Sequence, residues 1–257
     1  MKMKAVILAG GEGTRLRPFT EALPKSMLPI GVKPILEIIV EYLKIYEFNE
    51  IILAINYLKE SIVHYFEDGK RFGVKVMYSI EETPLGTAGA VKKAAKNINE
   101  TFLVVLGDIL ADIDYNALLK FHKKANATGT MVIIENTLKV RYGVLELDVN
   151  QDNAITNLKE KPEIVFPVYA GIVVLEPLAL NYVKNDEFLG MPDLFLRLKD
   201  NSKKIVAYLH KGNWIDIGQD VNQYLEVNRN IIRGNIKFEN NLSELIFGKN
   251  RVCPKVT

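Results

Sequence analysis

The chain carries one cysteine, one tryptophan and three histidines among 257 residues. A single thiol, Cys253, excludes an intrachain disulfide, and its place near the C-terminus argues against a catalytic nucleophile. His64, His122 and His210 have no cysteine partners and no H-E-x-x-H spacing, so the usual zinc patterns are missing. Ser26 and Ser79 lack a triad context. Charge of one sign is missing too: 33 Lys and Arg face 31 Asp and Glu. A net charge of +2 gives no electrostatic case for nucleic acid or a membrane surface. The short basic runs Lys92, Lys93, Lys96 and Lys123, Lys124 read as solvated helix faces. No apolar run approaches the ~20 residues that span a bilayer. Met1-Lys2-Met3-Lys4 imitates the start of a signal peptide, but the apolar run behind it ends at Ala9, too short for an h-region. Cytoplasmic residence is the expectation that these absences leave. Repeats with a period of roughly 20–50 residues, and the hexapeptide repeats of a β-helix, are also absent.

What the chain does have is its start, Leu8-Ala9-Gly10-Gly11-Glu12-Gly13-Thr14-Arg15-Leu16-Arg17-Pro18, followed by Pro24-Lys25-Ser26-Met27-Leu28-Pro29. A β-branched apolar run delivers the backbone into three glycines, then an arginine, then a lysine bracketed by prolines. Glycines let backbone N–H groups turn toward an anion with no Cβ in the way. Arginine adds a charge-assisted fork for phosphate oxygens, and lysine a movable point charge. A phosphate-rich ligand is the natural reading, although a glycine cluster after a strand also serves as a plain strand-to-helix turn. Neither familiar glycine fingerprint is present. There is no G-x-x-x-x-G-K-[ST], and Gly11-x-Gly13-x-x-Leu16 lacks the third glycine of the dinucleotide pattern.

Strand-like runs at 4–9, 50–55, 73–79 and 102–106 alternate with helical periodicity near 35–47, 57–67 and 87–97. That alternation predicts an α/β fold, a Rossmann-like, doubly wound, mostly parallel sheet with ligands at the carboxyl ends of the strands. A helix is expected from 115 to about 126. Then the pattern changes: 130–136, 143–147 and 168–175 are β-rich and separated by polar turns, which suggests an antiparallel extension. Helices near 178–184 and 191–199, a strand at 204–209 and a helix over 221–232 complete the expectation. No Gly/Ser-rich linker divides the chain, so 1–232 is expected to form one domain of two lobes, about 1–107 and 108–232. Residues 233–257 are expected to be a tail, its packing left open, too short for a β-helix domain.

As a whole, G-G-x-G-T-R-L followed by P-K resembles the signature of the sugar-nucleotide pyrophosphorylases, which join a nucleoside triphosphate to a sugar 1-phosphate. The resemblance covers about residues 3–228. It implies that the first lobe binds nucleotide through Leu8, Ala9, Gly10, Gly11, Gly13, Thr14 and Arg15. It also implies a sugar-binding second lobe, Mg²⁺ as cofactor, and transfer by in-line attack on the α-phosphorus. The attacking phosphate is already anionic, so positive charge and positioning are the catalysts. Arg15, Lys25 and Asp108 are the implied catalytic set. Asp108 follows a five-residue apolar strand and a glycine, and Asp216 lies in Trp214-Ile215-Asp216-Ile217-Gly218. Both match the family's metal-binding aspartates, and Mg²⁺ needs only one or two carboxylates beside phosphate and water. By itself each could equally be a turn cap or a buried, hydrogen-bonded acid. Glu160-Lys161-Pro162, between Tyr142-Gly143-Val144 and Ala170-Gly171, matches the sugar-phosphate segment and implicates Gly143, Glu160, Lys161 and Tyr169. The family often has an asparagine before the Ala-Gly pair. This chain has Tyr169, which puts the sugar's identity in question.

The loop Glu81-Glu82-Thr83-Pro84-Leu85-Gly86-Thr87 faces the base in the family, and many thymidylyl- and uridylyltransferases carry glutamine where this chain has Glu81. Ionised glutamate only accepts, and guanine presents two adjacent donors, so GTP is the expected nucleotide. Pro84, Gly86 and Thr87 complete that edge. Within the family the chain looks most like the guanylyltransferases for mannose 1-phosphate or a heptose 1-phosphate. A glucose-1-phosphate thymidylyl- or uridylyltransferase is the alternative, and a non-catalytic sugar-nucleotide-binding regulator is the alternative of another class. The expected partners are the two small substrates, with no nucleic acid and no membrane, and a homo-oligomer is left open.

Overall fold

The computed structural model describes residues 3–247. Strand β1 (Met3–Leu8) opens the chain, and a short helix α1 (Phe19–Ala22) and a two-residue hairpin, β2 (Pro29–Ile30) with β3 (Lys33–Pro34), follow. The alternating half comprises α2 (Ile35–Ile45), β4 (Phe48–Ile55), α3 (Lys59–Phe66), β5 (Lys75–Ile80), α4 (Gly86–Ala94), β6 (Phe102–Leu106), β7 (Ile109–Ala111) and α5 (Tyr115–Ala125). Next come β8 (Gly129–Lys139), β9 (Val144–Asp148), β10 (Ala154–Lys159), β11 (Glu163–Leu175), α6 (Met191–Asp200) and β12 (Ile205–Leu209). Strand β13 (Trp214–Asp216), α7 (Val221–Ile232) and α8 (Leu242–Phe247) end the described chain.

Seven strands form one sheet in the order β12-β8-β11-β6-β1-β4-β5. Every pairing in it is parallel except those of β11, which runs antiparallel to both β6 and β8. The expected α/β sheet is therefore present, and both halves of the chain contribute strands to it. Strand β1 explains why a continuous apolar run appears in the sequence. Ala5 and Ile7 join the core on one face, and Val6 joins the core on the other. Both faces are covered, as parallel strands require. Helices α2, α3 and α5 close the first face, and α4 and α6 close the second. Phe48, Phe66 and Phe102 are almost fully buried in these layers; burying such a side chain is worth ~1.5–3 kcal/mol. Capping residues set the helix starts: Asp114 accepts from Ala117 N–H and Asp220 from Gln223 N–H, each at 3.0 Å. No helix of the described residues is long and apolar enough to cross a membrane.

Three features depart from the sequence expectation. The helix expected near 178–184 is a 3₁₀ segment, Pro177–Tyr182, because the chain turns extended at Val183 before an α-helical nucleus can grow. The polar stretch before Glu160 is strand β10, paired with β9; a register shift between Ile155 and Asn157 breaks the period-two alternation that would mark it. Strand β11 begins at Glu163, well before 168, although Pro167 lies within it opposite Glu135. The tail, whose packing the sequence leaves open, is partly built into the core. Leu242 and Ile246 of α8 are fully buried, and Ile246 lies so close to Gly31 (φ +64°) that an added Cβ would meet its Cγ2 at 2.8 Å. Cys253 lies outside the described residues.

Candidate functional site

The glycine loop leaves β1 at the carboxyl end of the sheet, where Ala9 N–H donates to Ala54 O at 2.8 Å and Gly107 N–H to Leu8 O at 2.8 Å. Gly10 passes so near β4 that a Cβ would stand 3.2 Å from Asn56 N. Gly13 is left-handed (φ 62°, ψ 37°), and a Cβ there would meet Thr20 Cγ2 at 2.9 Å and Lys25 Cβ at 3.0 Å. At Gly13 the left-handed backbone and the close contacts together call for glycine. The loop is pinned from behind: Thr20 Oγ1 donates to Gly13 O at 2.8 Å, and Tyr57 OH donates to Thr20 O at 2.9 Å. Gly11, by contrast, has open space where a Cβ would go. The N–H groups of Gly10, Gly11, Glu12 and Gly13 find no acceptor among the described residues. They remain available to an anion.

This loop forms one wall of a cleft of about 580 Å³. Leu8, Ala9, Gly10, Gly11, Gly13, Thr14, Arg15, Lys25, Glu81, Pro84, Gly86, Thr87 and Asp108 all line it. Lys25 Nζ forms an ion pair with Asp108 Oδ2, and both side chains are largely buried. Gly218 closes over the pair; a Cβ on it would sit 1.5 Å from Lys25 Nζ, so any larger residue would push the lysine head out of its place.

Asp216 is not among the cleft-lining residues, but strand register brings it beside them. Strands β7 and β13 pair antiparallel with Asp216 opposite Ile109, and Ile217 N–H donates to Asp108 O at 3.2 Å. Asp216 Oδ1 accepts from Gly218 N–H at 2.7 Å. One oxygen on each aspartate, Asp108 Oδ1 and Asp216 Oδ2, has no partner among the described residues. No cluster of three or more His, Cys, Asp or Glu occurs among the described residues. Two hard oxygen donors therefore fit Mg²⁺, which takes few protein ligands beside phosphate and water, and suit softer metals poorly.

At the far end of this two-stranded ribbon stands Asp112. Its Oδ2 accepts from Asn213 Nδ2 at 2.8 Å and from Glu239 N–H at 3.0 Å, and His210 Nε2 lies 3.3 Å from Oδ1. Burial pushes the Asp112 carboxyl up, but the proximity of His210 and the bonds from Asn213 and Glu239 outweigh it and hold the group below the usual carboxylate range. Asp112 thus ties the chain around 239 to the ribbon that carries Asp108 and Asp216.

The other wall is the loop before α4. Glu81 lines the cleft, is buried, and its Oε2 accepts from Leu85 N–H at 3.1 Å, so its carboxylate is tied to this loop rather than set in solvent. Burial raises the Glu81 carboxyl above the ordinary glutamate value, against the Leu85 hydrogen bond and the charge of Lys93. Gly86 (φ +68°) lies against Leu189, whose O would be 2.5 Å from a Cβ there. Thr87 Oγ1 accepts from Met191 N–H at 2.7 Å, which fastens this loop to the start of α6.

The sugar-site residues are divided. Glu160 Oε1 and Lys161 Nζ lie 3.6 Å apart, and a Cβ on Gly143 would be 3.2 Å from Glu160 Oε2. These three meet, exposed, beside the β9–β10 hairpin, outside the cleft lining. Tyr169 is not with them. It is partly buried on β11 opposite Ile133, packed against the second core. Sequence reasoning missed Ser26, Asn56, Tyr57 and Gly107 in the cleft wall. Ser26 Oγ is buried without a hydrogen-bond partner, an orphaned group beside Lys25. Asn56 and Gly107 follow the ends of β4 and β6, and that shared place at the sheet edge was the available signal.

Known proteins of similar sequence and structure accord with this geometry. A family model described as nucleotidyl transferase matches residues 4–234. The UTP–glucose-1-phosphate uridylyltransferase of Synechocystis is 34% identical over 254 residues, 91% of this chain and 65% of that protein. The mannose-1-phosphate guanyltransferase of Candida albicans is 34% identical over 223 residues, 84% of this chain and 61% of that protein. The chain thus spans less than two thirds of the length of these relatives. Among solved structures, HddC from Yersinia pseudotuberculosis has a TM-score of 0.68 at 28% identity, covering 88% of this chain and 98% of its own. That protein is also known complexed with GMP-PN. A UDP-glucose pyrophosphorylase complexed with UDP-glucose has a TM-score of 0.65 at 26% identity, covering 89% of this chain and 98% of its own. With nine-tenths of its length under the family model, the chain belongs to the nucleotidyl transferase family.

Proposed function

We propose that the protein joins a nucleoside triphosphate to a sugar 1-phosphate and releases pyrophosphate. The observation that carries this reading is the Lys25–Asp108 pair under Gly218, set at the edge of a cleft floored by free glycine N–H groups. The intact charged set of Arg15, Lys25, Asp108, Lys161 and Asp216 favours catalysis over a non-catalytic binding role. In the proposed step a phosphate oxygen of the sugar 1-phosphate forms a bond to the α-phosphorus. The bond from that phosphorus to the bridging oxygen breaks, and pyrophosphate carries away its electrons. No proton need be removed from the nucleophile. Arg15 and the glycine N–H groups hold the leaving pyrophosphate, and Lys25 offsets charge on the α-phosphate as it develops. Asp108 and Asp216 would hold Mg²⁺, which when bound neutralises and orients the triphosphate. Glu160 and Lys161 take the sugar and its phosphate, in a second lobe distinct from the nucleotide lobe of about 1–107.

Guanine is the base that Glu81 favours. The ionised carboxylate accepts at both oxygens; Oε2 already holds Leu85 N–H, and guanine brings N1–H and the 2-amino group. Mannose 1-phosphate is the sugar this reading prefers. A uridylyl- or thymidylyltransferase is the second reading, favoured by one observation: burial raises the Glu81 carboxyl. Protonated, Glu81 would offer one donor and one acceptor, as a glutamine does to uracil or thymine. Comparing kcat/KM for GTP, UTP and dTTP in the wild type and in Glu81→Gln decides between them. A mismatched buried donor or acceptor costs roughly 1–3 kcal/mol, so the substitution should move preference away from GTP by about tenfold to a hundredfold. The sign with pH follows from the raised carboxyl. GTP use should fall as pH drops through a value above the ordinary 4.5 of glutamate, because protonation removes an acceptor. A wild type that already prefers UTP, with no change in Glu81→Gln, would remove Glu81 as the base reader.

A further inference from the structure

A second cavity, of about 540 Å³, lies on the other side of α4 and is nearly as large as the nucleotide cleft. Lys92, Lys93 and Lys96 line it. Lys92 Nζ donates to Leu180 O at 2.9 Å, and neither Lys93 nor Lys96 forms an ion pair among the described residues. The last turn of α4 favours cations through its dipole, but that preference does not require a cavity or the opposite wall found here. The opposite wall brings Asn181, Asn185 and Asp186. That wall is fixed rather than loose. Arg197 grips Glu187 with two bonds, at 2.8 and 2.7 Å, and Glu187 Oε2 accepts from Lys184 N–H at 3.0 Å. Gly89 lets the same segment touch α4, since a Cβ there would stand 2.3 Å from Glu187 O.

We infer that this cavity is a second binding site, for a small sugar phosphate. Lysines recognise the phosphate, and two amides and a carboxylate supply the donors and acceptors that ring hydroxyls need. The site is coupled to the cleft by construction. Leu85 lines both cavities, and its N–H holds Glu81. Lys93, on this side of the helix, also acts electrostatically on Glu81. A bound phosphate that screens Lys93 should therefore alter nucleotide use at the cleft.

The test is titration calorimetry with glucose 6-phosphate, whose phosphate is not anomeric and so cannot serve as the sugar 1-phosphate. Saturable binding is expected in the wild type. It should weaken at least tenfold in Lys93→Gln/Lys96→Gln, both exposed positions, and persist in Arg15→Ala/Lys25→Ala. Binding that is lost in Arg15→Ala/Lys25→Ala but survives in the lysine double variant would place the phosphate in the cleft and overturn the inference. So would the absence of saturable heat, or inorganic phosphate binding as tightly as glucose 6-phosphate. Because calorimetry reads binding and not turnover, failure here leaves the proposed activity untouched, and failure of the activity leaves this result standing.

Discussion

Asp108→Asn is expected to lower turnover by roughly a thousandfold, the largest single effect in the cleft. Two losses coincide at that position. The carboxylate proposed to hold Mg²⁺ becomes a neutral amide, and Lys25 loses its ion-pair partner. A metal role predicts partial recovery at high Mg²⁺, since the remaining Asp216 and the triphosphate still offer oxygens. Measuring pyrophosphate release across a Mg²⁺ titration separates the two losses. Near-normal turnover in Asp108→Asn, or full wild-type turnover in EDTA, would remove Asp108 as a metal ligand.

Lys25→Ala is expected to lower kcat by about a hundredfold to a thousandfold with a much smaller change in KM for the nucleotide. A charge that meets the α-phosphate mainly as negative charge develops acts on the transition state, not on ground-state binding. Gly218→Ala should reproduce the defect without touching the lysine, because its Cβ would occupy the place of Nζ. Steady-state kinetics on both variants checks this. A rise in KM with unchanged kcat would make Lys25 a binding residue only, and a normal Gly218→Ala would mean the lysine is not held where it is needed.

The alternating half of the fold was legible because local pattern and tertiary burial agree there. The Val6 and Ile7 run reads as buried strand and is buried on both faces. The glycine loop was legible for the same reason: left-handed Gly13, with contacts too close for a Cβ, is a local backbone demand that glycine meets. What was hidden depends on register between distant segments. Nothing local to Trp214-Ile215-Asp216 says that it pairs with β7 and lands its aspartate by Asp108. The shift between Ile155 and Asn157 disguises β10, and Pro167 shortens the apparent length of β11. Asp112 gave no sign of its role because its partners, Asn213 and Glu239, lie more than a hundred residues away in sequence. Tyr169, matched to a sugar contact by its place beside Ala170-Gly171, packs against the second core, and its distance from Glu160 and Lys161 along β11 is set by strand pairing that no local pattern shows.

The most direct measurement is pyrophosphate release, with product identification, for each of GTP, UTP and dTTP against mannose, glucose and heptose 1-phosphates in Mg²⁺. The expected result is pyrophosphate formed in equal amount to a nucleoside diphosphate sugar, only when both substrates are present, and fastest with GTP and mannose 1-phosphate. No pyrophosphate with any pair, or release of nucleoside monophosphate without a sugar nucleotide, would contradict nucleotidyl transfer to a sugar 1-phosphate.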